Sequence, residues 1–203
     1  PVPARIIPKS IATPGLLAHV LTGKFVDHLP FYRQEKMFAR LGVDIGRATL
    51  CNWAMQAATA CLPLINLIGD AILESRVINI DETTLQVLAE PGREATAKSY
   101  MWVFRRGDPH RPAIIYQYHP TRAGDVAKAF LGDFKGVIQT DGYSGYDFLD
   151  HREEVRHAGC LAHVRRKFMD LIKTQGKNRP RGSADQALAY IQQLYGLEKQ
   201  ARQ

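Results

Sequence analysis

The sequence predicts a mixed α/β domain preceded by a helical region. Apolar residues recur at helical spacing from Pro14 to about Glu74, whereas short β-branched and aromatic runs dominate from Arg76 onward. Three strand-like runs then precede alternating helices and strands, which is the order of a mixed sheet. A chain of 203 residues is long enough for one ordinary domain and a small companion.

The composition is that of a basic globular protein. The chain carries 27 Lys+Arg against 20 Asp+Glu, a net charge of +7, and this surplus favours a polyanionic partner, with nucleic acid ahead of membrane. Three cysteines without a short-spaced pair predict no disulfide framework, in keeping with a reducing cytoplasm. The most apolar run, Cys61–Leu73, is too short to span a bilayer, so we expect no membrane segment.

Four segments are expected from the changes in pattern along the chain. Residues 1–13 contain three prolines and form a linker arm, and residues 14–75 form a helical, helix-turn-helix-like region. Residues 76–173 form the α/β core. Residues 174–203 contain a basic Gly/Pro loop followed by a helix.

The helical region has the pattern of a helix-turn-helix. Pro14 and Pro30 stand in the first turns of two helices, Gly42 ends the second, and Arg47–Ala60 forms the third. The third helix would then enter the major groove of double-stranded DNA with exposed residues near its N-terminus, namely Arg47, Thr49 and Asn52. The alternative is an ordinary helical hairpin whose exposed face has no partner.

The order of elements after this region predicts a ribonuclease-H-like fold. Pro63 breaks the helical run and a fourth helix is expected over Leu64–Glu74. We predict five strands, at Val77–Leu88, Ser99–Arg106, Ala113–Tyr118, Gly136–Thr140 and Val155–Gly159. The predicted helices are Thr121–Leu131, Ser144–Asp150, Ala162–Lys173 and Ala184–Arg202. In a ribonuclease-H-like fold the first and fourth of these strands are neighbours, and each carries an acid.

Two acids occupy the corresponding positions. Asp81 interrupts an apolar strand where burial of a carboxylate would be costly, and Asp141 follows the fourth strand immediately before Gly142. Two carboxylates that converge on Mg²⁺, with Mn²⁺ as a substitute, suit phosphodiester cleavage and transfer. The alternative is that Asp81 is salt-bridged and Asp141 only shapes a turn.

Several neighbours of these acids are candidate supporting residues. Glu82 points to the opposite face of the strand from Asp81, as a surface or supporting residue. Tyr143 and Tyr146 could stack on bases or line a substrate channel, or instead pack over the sheet edge. His163 faces either the carboxylates or a phosphate, and at least one of the basic residues that follow it is expected to contact DNA phosphates: Arg165, Arg166 and Lys167.

A zinc site is not predicted, although His157, Cys160 and His163 are spaced three apart. Three candidates fall short of a closed structural zinc site, and no second pair lies nearby. Cys160 is expected to be a small buried residue at the end of the fifth strand.

Four stretches, in this order, resemble the insertion sequence 66 family of bacterial transposases: LPFYRQEKMFARLGVDIGRATLCNW, NIDETTLQV, IQTDGYSGY and GCLAHVRRKF. The resemblance covers essentially the whole chain. It implies a DDE-type transposase with a ribonuclease-H-like catalytic core and two Mg²⁺ ions. By this resemblance, Asp81 and Asp141 are the first two acids of the catalytic triad, and the enzyme cuts and joins DNA at insertion-sequence ends.

The resemblance also predicts a fragment cut at both ends. In such transposases a Glu follows a mostly helical insertion, and residues from Ala184 resemble the start of that insertion, so the third acid is expected beyond Gln203. The implied partners are element ends and target DNA, bound by a homo-oligomer in the bacterial cytoplasm at the nucleoid. Two alternatives remain: a catalytically incomplete DNA-binding or regulatory fragment, and another ribonuclease-H-like nuclease such as a junction resolvase.

Overall fold

A computed structural model describes residues 5–176 and 180–201 of the chain. The chain divides into two compact units, one ending at Leu67 and the other beginning at Ile68. The division falls within a helix, and the boundary predicted at residue 75 lies just after the end of that helix.

Among its described residues the first unit holds three complete helices, α1 (Pro14–Phe25), α2 (Phe31–Arg40) and α3 (Arg47–Ala60). The Thr13 hydroxyl accepts the backbone N–H of Leu16 at 3.2 Å, and Pro14 occupies the first turn, where its missing N–H costs nothing. The buried core of this unit consists of Ile7, Ala12, Leu17, Val20, Ile45, Leu50 and Trp53. Ile7 and Ala12 lie in the segment that was predicted to be an arm.

Two polar residues of α2 connect the three helices. Gln34 is buried, and its Nε2 donates to the carbonyls of Val20 and Leu29 at 3.2 and 3.1 Å. This amide fits because Gly23 has no Cβ, which would lie 3.2 Å from Nε2. The carboxylate of Glu35 accepts the backbone N–H of Arg47 at 2.9 Å and so satisfies one free donor at the start of α3.

Helix α4 (Leu62–Leu73) begins earlier than the sequence predicted. The prediction started this helix after Pro63, but proline in the first turn loses no helical hydrogen bond and is tolerated there. Within the described part of the chain, no single helix has both the length and the apolar character needed to cross a membrane, although α3 and α4 would qualify if joined as one bent pair.

The second unit is built on a five-stranded mixed sheet. Its strands are β1 (Val77–Gln86), β2 (Lys98–Arg106), β3 (Ile114–His119), β4 (Gly136–Thr140) and β5 (Val155–Gly159), in the order β3-β2-β1-β4-β5. The β1–β2 and β2–β3 pairs are antiparallel, and the β1–β4 and β4–β5 pairs are parallel. This arrangement confirms the predicted ribonuclease-H-like sheet, including the contact between the first and fourth strands.

Helices complete this unit: α5 (Asp125–Leu131), a 3₁₀ helix (Ser144–His151), α6 (Leu161–Thr174) and α7 (Ser183–Ala201). The main core lies on one face of the sheet and includes Ile78, Ile80, Trp102, Phe104, Ile138, Val126, Leu131, Tyr146 and Leu149. The rings of Phe104 and Phe130 stack with their centroids 3.8 Å apart. Since residues alternate along a strand, Glu82 shares this face with Ile78 and Ile80, and Asp81 lies on the other.

Helix α5 begins at Asp125 and not at Thr121 as predicted. The four residues before it form a loop in which the side chain of Arg122 reaches back to the sheet. Gly124 closes this loop against the backbone of Gly145, where a Cβ would lie 2.0 Å from the carbonyl oxygen. The loop therefore requires glycine at this point, and the helix starts only after it.

Candidate active site

Asp81 and Asp141 lie at the same level of the two central parallel strands. The last paired residues of β1 and β4 are Asn79 and Gln139, whose side chains are joined by a hydrogen bond of 2.7 Å. Each acid comes two residues after one of these partners. Neighbouring strands are about 4.8 Å apart, so the register sets Asp81, in the middle of β1, level with Asp141, directly after the end of β4.

Asp81 is not buried, contrary to the expectation from its apolar surroundings. Its side chain is 55% exposed, because it points away from the face that holds the main core. One oxygen, Oδ1, accepts the backbone N–H of Glu82 at 3.0 Å, and Oδ2 lies 3.6 Å from Nε2 of His163. This exposed carboxylate is open to solvent and to a hydrated cation.

Glu82 has the buried carboxylate of this region. Its side chain is fully buried, which excludes the surface position considered from the sequence. Arg122 donates from Nε to Oε1 at 2.5 Å, and the hydroxyl of Tyr146 donates to Oε2. Buried charges are stable only when they are paired and hydrogen-bonded, and Arg122 and Tyr146 meet this requirement for Glu82.

Arg122 also connects Glu82 to Asp141. Its Nη2 lies 3.4 Å from Oδ2 of Asp141, while Oδ1 of Asp141 accepts the backbone N–H of Tyr143 at 2.9 Å. The guanidinium stacks over the Tyr143 ring at 3.7 Å, and the Tyr143 hydroxyl donates to the carbonyl of Arg122 at 2.8 Å. Tyr143 therefore packs against Arg122 beside Asp141. Tyr146 is fully buried, so its ring is not available to stack on bases.

The electrostatics of the cluster follow from these contacts. Burial lowers the pKa of Arg122, but the hydrogen bond and charge of Glu82, with the charge of Asp141, outweigh it and raise that pKa above its ordinary value. Burial also raises the pKa of the Tyr146 hydroxyl, and the hydrogen bond to Glu82 raises it further. Arg122 therefore stays charged and Tyr146 stays protonated as donors to Glu82.

The three residues considered for zinc diverge in the structure. His163 lies beside Asp81, and its buried Nδ1 has no hydrogen-bond partner in the described part of the chain. His157 contacts Thr140 and Asp150. Cys160 precedes α6 and is half-buried. Among residues 5–176 and 180–201, no three His, Cys, Asp or Glu side chains are arranged to hold a metal ion.

The paired acids nevertheless suit a cation that needs few protein ligands. Asp81 and Asp141 both offer hard carboxylate oxygens, the ligand type that Mg²⁺ prefers, and Mg²⁺ keeps several of its waters. The exposure of Asp81 leaves room for such waters. Glu82 and Asp141 share the guanidinium of Arg122, and Asp81 lies beside His163 on the other face of β1.

The residues predicted to bind DNA are exposed on two helices, α3 and α6. Arg47, Thr49 and Asn52 are exposed on α3. Between α6 and α7, a cavity of about 430 Å³ is lined by Arg165, Arg166 and Lys173 together with Gln192 and Tyr195. Lys167 does not line this cavity, so the three consecutive basic residues of α6 are divided between surfaces, as the helical geometry requires.

Arg122 is the main residue of this region that sequence reasoning missed. It lies 40 residues from Glu82 and 19 from Asp141 along the chain, and nothing in its local pattern distinguishes it from a surface arginine. The one available signal was Glu82 itself, since a second acid on the core face of a buried strand requires a cation.

The strand order, with Asp81 within β1 and Asp141 directly after β4, defines a domain of ribonuclease-H-like fold with a candidate two-carboxylate site. Comparison with known protein families gives a more specific assignment than the fold alone. The transposase IS66 family matches residues 9–203, and the chain belongs to this family. The resemblance seen in its four motifs is thereby confirmed.

The chain is also similar to two curated relatives and, remotely, to one chain of a solved structure. The uncharacterized proteins y4qI and y4jD of Sinorhizobium fredii (strain NBRC 101917 / NGR234) are 33% and 35% identical to it, over 98% and 100% of the chain. The chain covers 38% and 41% of their lengths, or about two fifths. A chain of a pre-cleavage Mos1 transpososome is 10% identical with a TM-score of 0.29, over 94% of this chain and 73% of that one, a likeness too remote to bear on function.

Proposed function

We propose that this chain is the part of a DDE-type transposase that carries the first two catalytic acids, Asp81 and Asp141. The enzyme would cut and join double-stranded DNA at insertion-sequence ends and at the target, as a homo-oligomer on the DNA of a bacterial nucleoid. The observation that carries the proposal is the register of β1 and β4, which sets Asp81 level with Asp141 on adjacent strands, in a chain of the transposase IS66 family.

In this proposal Asp81 and Asp141 would hold Mg²⁺. A bound Mg²⁺ supplies Lewis-acid activation of the attacking hydroxyl or water and stabilises the leaving oxygen of the phosphodiester. The chain's own residues position the acids: the backbone N–H groups of Glu82 and Tyr143 each hold one carboxylate oxygen. Arg122 fixes the orientation of Asp141 while it is anchored by the buried Glu82.

The helical region would supply DNA binding, which is the second element of the proposal. Residues 1–67 contain seven Lys and Arg against three Asp and Glu, and the exposed N-terminal part of α3 carries Arg47, Thr49 and Asn52. The cation pair Arg165 and Arg166 beside α7 offers a further contact for phosphates. If the acids bind no metal, these surfaces support the alternative of a DNA-binding regulatory fragment.

The experiment is calorimetric titration of Mn²⁺ into the chain and into Asp81→Asn and Asp141→Asn. Asp170→Asn is the matched control, because Asp170 is an exposed acid of α6 that pairs with Lys173 away from the site. We expect the parent and the control to bind Mn²⁺ and both site variants to lose binding, with circular dichroism unchanged. Equal binding by the parent and both site variants would overturn the assignment of these acids.

A further inference from the structure

A chain of side-chain contacts leads from the surface to the backbone of Asp141. Oδ1 of Asp150 lies 2.7 Å from Nδ1 of His157, whose Nε2 lies 2.8 Å from Oγ1 of Thr140. The Thr140 hydroxyl in turn donates to the carbonyl of Asp141 at 2.8 Å. These contacts join the 3₁₀ helix, β5 and the end of β4 in one continuous path.

The middle of this path is buried and its outer end is accessible. Thr140 is almost fully buried, and its own carbonyl accepts the backbone N–H of Cys160 at 2.8 Å. His157 is mostly buried beside it, whereas the side chain of Asp150 is 61% exposed. A carboxylate that binds one ring nitrogen of a histidine fixes the orientation of the ring, and therefore which partner the other nitrogen meets.

The path ends at the point where the chain leaves β4. A buried hydroxyl could be satisfied by any neighbouring carbonyl, but this one contacts the peptide of Asp141, directly before the turn at Gly142. On the other side of the same residue, Oδ1 accepts the N–H of Tyr143. The orientation of the Asp141 peptide and that of its carboxylate are therefore fixed together.

We infer that His157, oriented by Asp150, is a positioning residue for Asp141 and acts through the hydroxyl of Thr140. This inference rests on the proposed role of Asp141, because it concerns how that carboxylate is presented. The ring of His157 contacts Thr140 and Asp150, so its effect on the Asp141 carboxylate passes through Thr140. It thereby gains a role that its spacing from Cys160 and His163 did not suggest.

The first test measures hydrogen exchange at the Tyr143 amide by NMR, which needs no metal. Thr140→Val removes the hydroxyl at similar side-chain volume, and Thr140→Ser retains it. Asp150→Asn removes the carboxylate charge that orients the His157 ring. We expect Thr140→Val and Asp150→Asn to accelerate exchange at Tyr143 about tenfold, the order expected for loss of one hydrogen bond of ordinary strength. The amide of Ile138 in β4 should keep its rate, and Thr140→Ser should behave as the parent.

Asp170→Asn is the matched control, since its side chain is 58% exposed and also ion-paired. Equal exchange at Tyr143 in the parent, Thr140→Val and Asp150→Asn would overturn the inference, and so would equal acceleration at Ile138. If Thr140→Val fails to fold, the exposed Asp150→Asn substitution still decides the question.

The second test is Mn²⁺ affinity in the same variants, and it separates this inference from the proposed function. We expect Thr140→Val and Asp150→Asn to bind Mn²⁺ about tenfold more weakly than the parent, and Thr140→Ser to bind normally. If the parent binds no Mn²⁺, the proposed metal site fails, and the exchange rates alone decide whether His157 positions Asp141. Parent-like affinity in both weakened variants would contradict the inference.

Discussion

Arg122 and Glu82 form a pair in which the side chain of Glu82 is completely buried and that of Arg122 is 36% exposed. The pair joins the loop before α5 to the central strand β1, and the same guanidinium reaches Asp141. Through Arg122, the buried Glu82 therefore restrains Asp141, which follows the end of the neighbouring strand β4. The stability of the sheet and the geometry of the candidate site depend on the same contact.

Substitution Arg122→Ala should therefore destabilise the protein by leaving Glu82 buried without its cation. Loss of one partner of a fully buried pair costs several kcal/mol, and with the partial exposure of Arg122 we expect about 2 kcal/mol. Urea unfolding measures this difference, with Lys135→Ala as the control because Lys135 and Glu154 form a largely exposed pair. A loss no larger than that of the control would mean that Glu82 does not need Arg122.

Substitution Glu35→Ala should weaken the start of α3. Glu35 accepts the backbone N–H of Arg47, and a carboxylate at a helix N-terminus also interacts favourably with the helix dipole. We expect a loss of about 1 kcal/mol in the free energy of unfolding, and a smaller loss for Glu35→Gln, which keeps an acceptor but no charge. The neighbouring exposed Lys36→Ala should be nearly neutral; an equal effect of both alanine substitutions would exclude a capping role.

Tyr118 should control the titration of Glu90. The hydrogen bond from the Tyr118 hydroxyl is the main cause that lowers the pKa of Glu90, against burial, with Ser99 and Arg93 adding to it. Tyr118→Phe should thus raise this pKa toward its ordinary value near 4.5. A carboxyl-detected NMR titration measures the shift, and Tyr116→Phe on the same strand is the control.

The sign of the accompanying change in stability follows from the lowered pKa. The Glu90 interactions contribute stability at pH values above the ordinary pKa, and this contribution is lost as the pH falls through the folded-state pKa. The difference in stability between the parent and Tyr118→Phe should consequently be largest near neutral pH and disappear in acid. A difference that grows in acid would contradict this explanation.

The basic residues of α6 should differ in their effect on DNA binding. Arg165 and Arg166 line the cavity beside α7, and Lys167 does not. We expect Arg165→Ala and Arg166→Ala each to reduce the slope of log affinity against log salt by about 1, as for loss of one phosphate contact, and Lys167→Ala to change it less. Fluorescence anisotropy with duplex DNA over a range of salt concentrations measures the slopes. Equal slopes for all three variants would exclude this cavity as a phosphate contact.

Periodicity and turn residues were sufficient to predict the sheet order, because each strand and helix is a local pattern and the ribonuclease-H-like order follows from their sequence. They also placed Asp81 within β1 and Asp141 at the end of the adjacent β4. The side-chain pairings could not be predicted. The contacts from Arg122 to Glu82 and from His157 to Thr140 join residues far apart in sequence, and local patterns carry no information about such partners.

The burial expected for Asp81 and the surface position considered for Glu82 are both wrong, and for the same physical reason. Alternation along β1 placed Asp81 and Glu82 on opposite faces, but the sequence did not reveal which face carries the main core. The expectation assigned burial to Asp81, whereas Tyr146 and Arg122 arrive from outside the strand and make Glu82 the buried acid. Which of two adjacent acids is buried is decided by tertiary contacts and not by the strand itself.

The most direct test of the central claim is paramagnetic broadening by Mn²⁺ at two backbone amides of the intact chain. The amide of Glu82 contacts the carboxylate of Asp81, and the amide of Tyr143 contacts that of Asp141. If both acids bind one cation, the two NMR signals should broaden together at the same Mn²⁺ concentration, and Asp81→Asn or Asp141→Asn should abolish both effects. Broadening of one amide alone, or of the two at different Mn²⁺ concentrations, would show that the two acids do not share a metal ion.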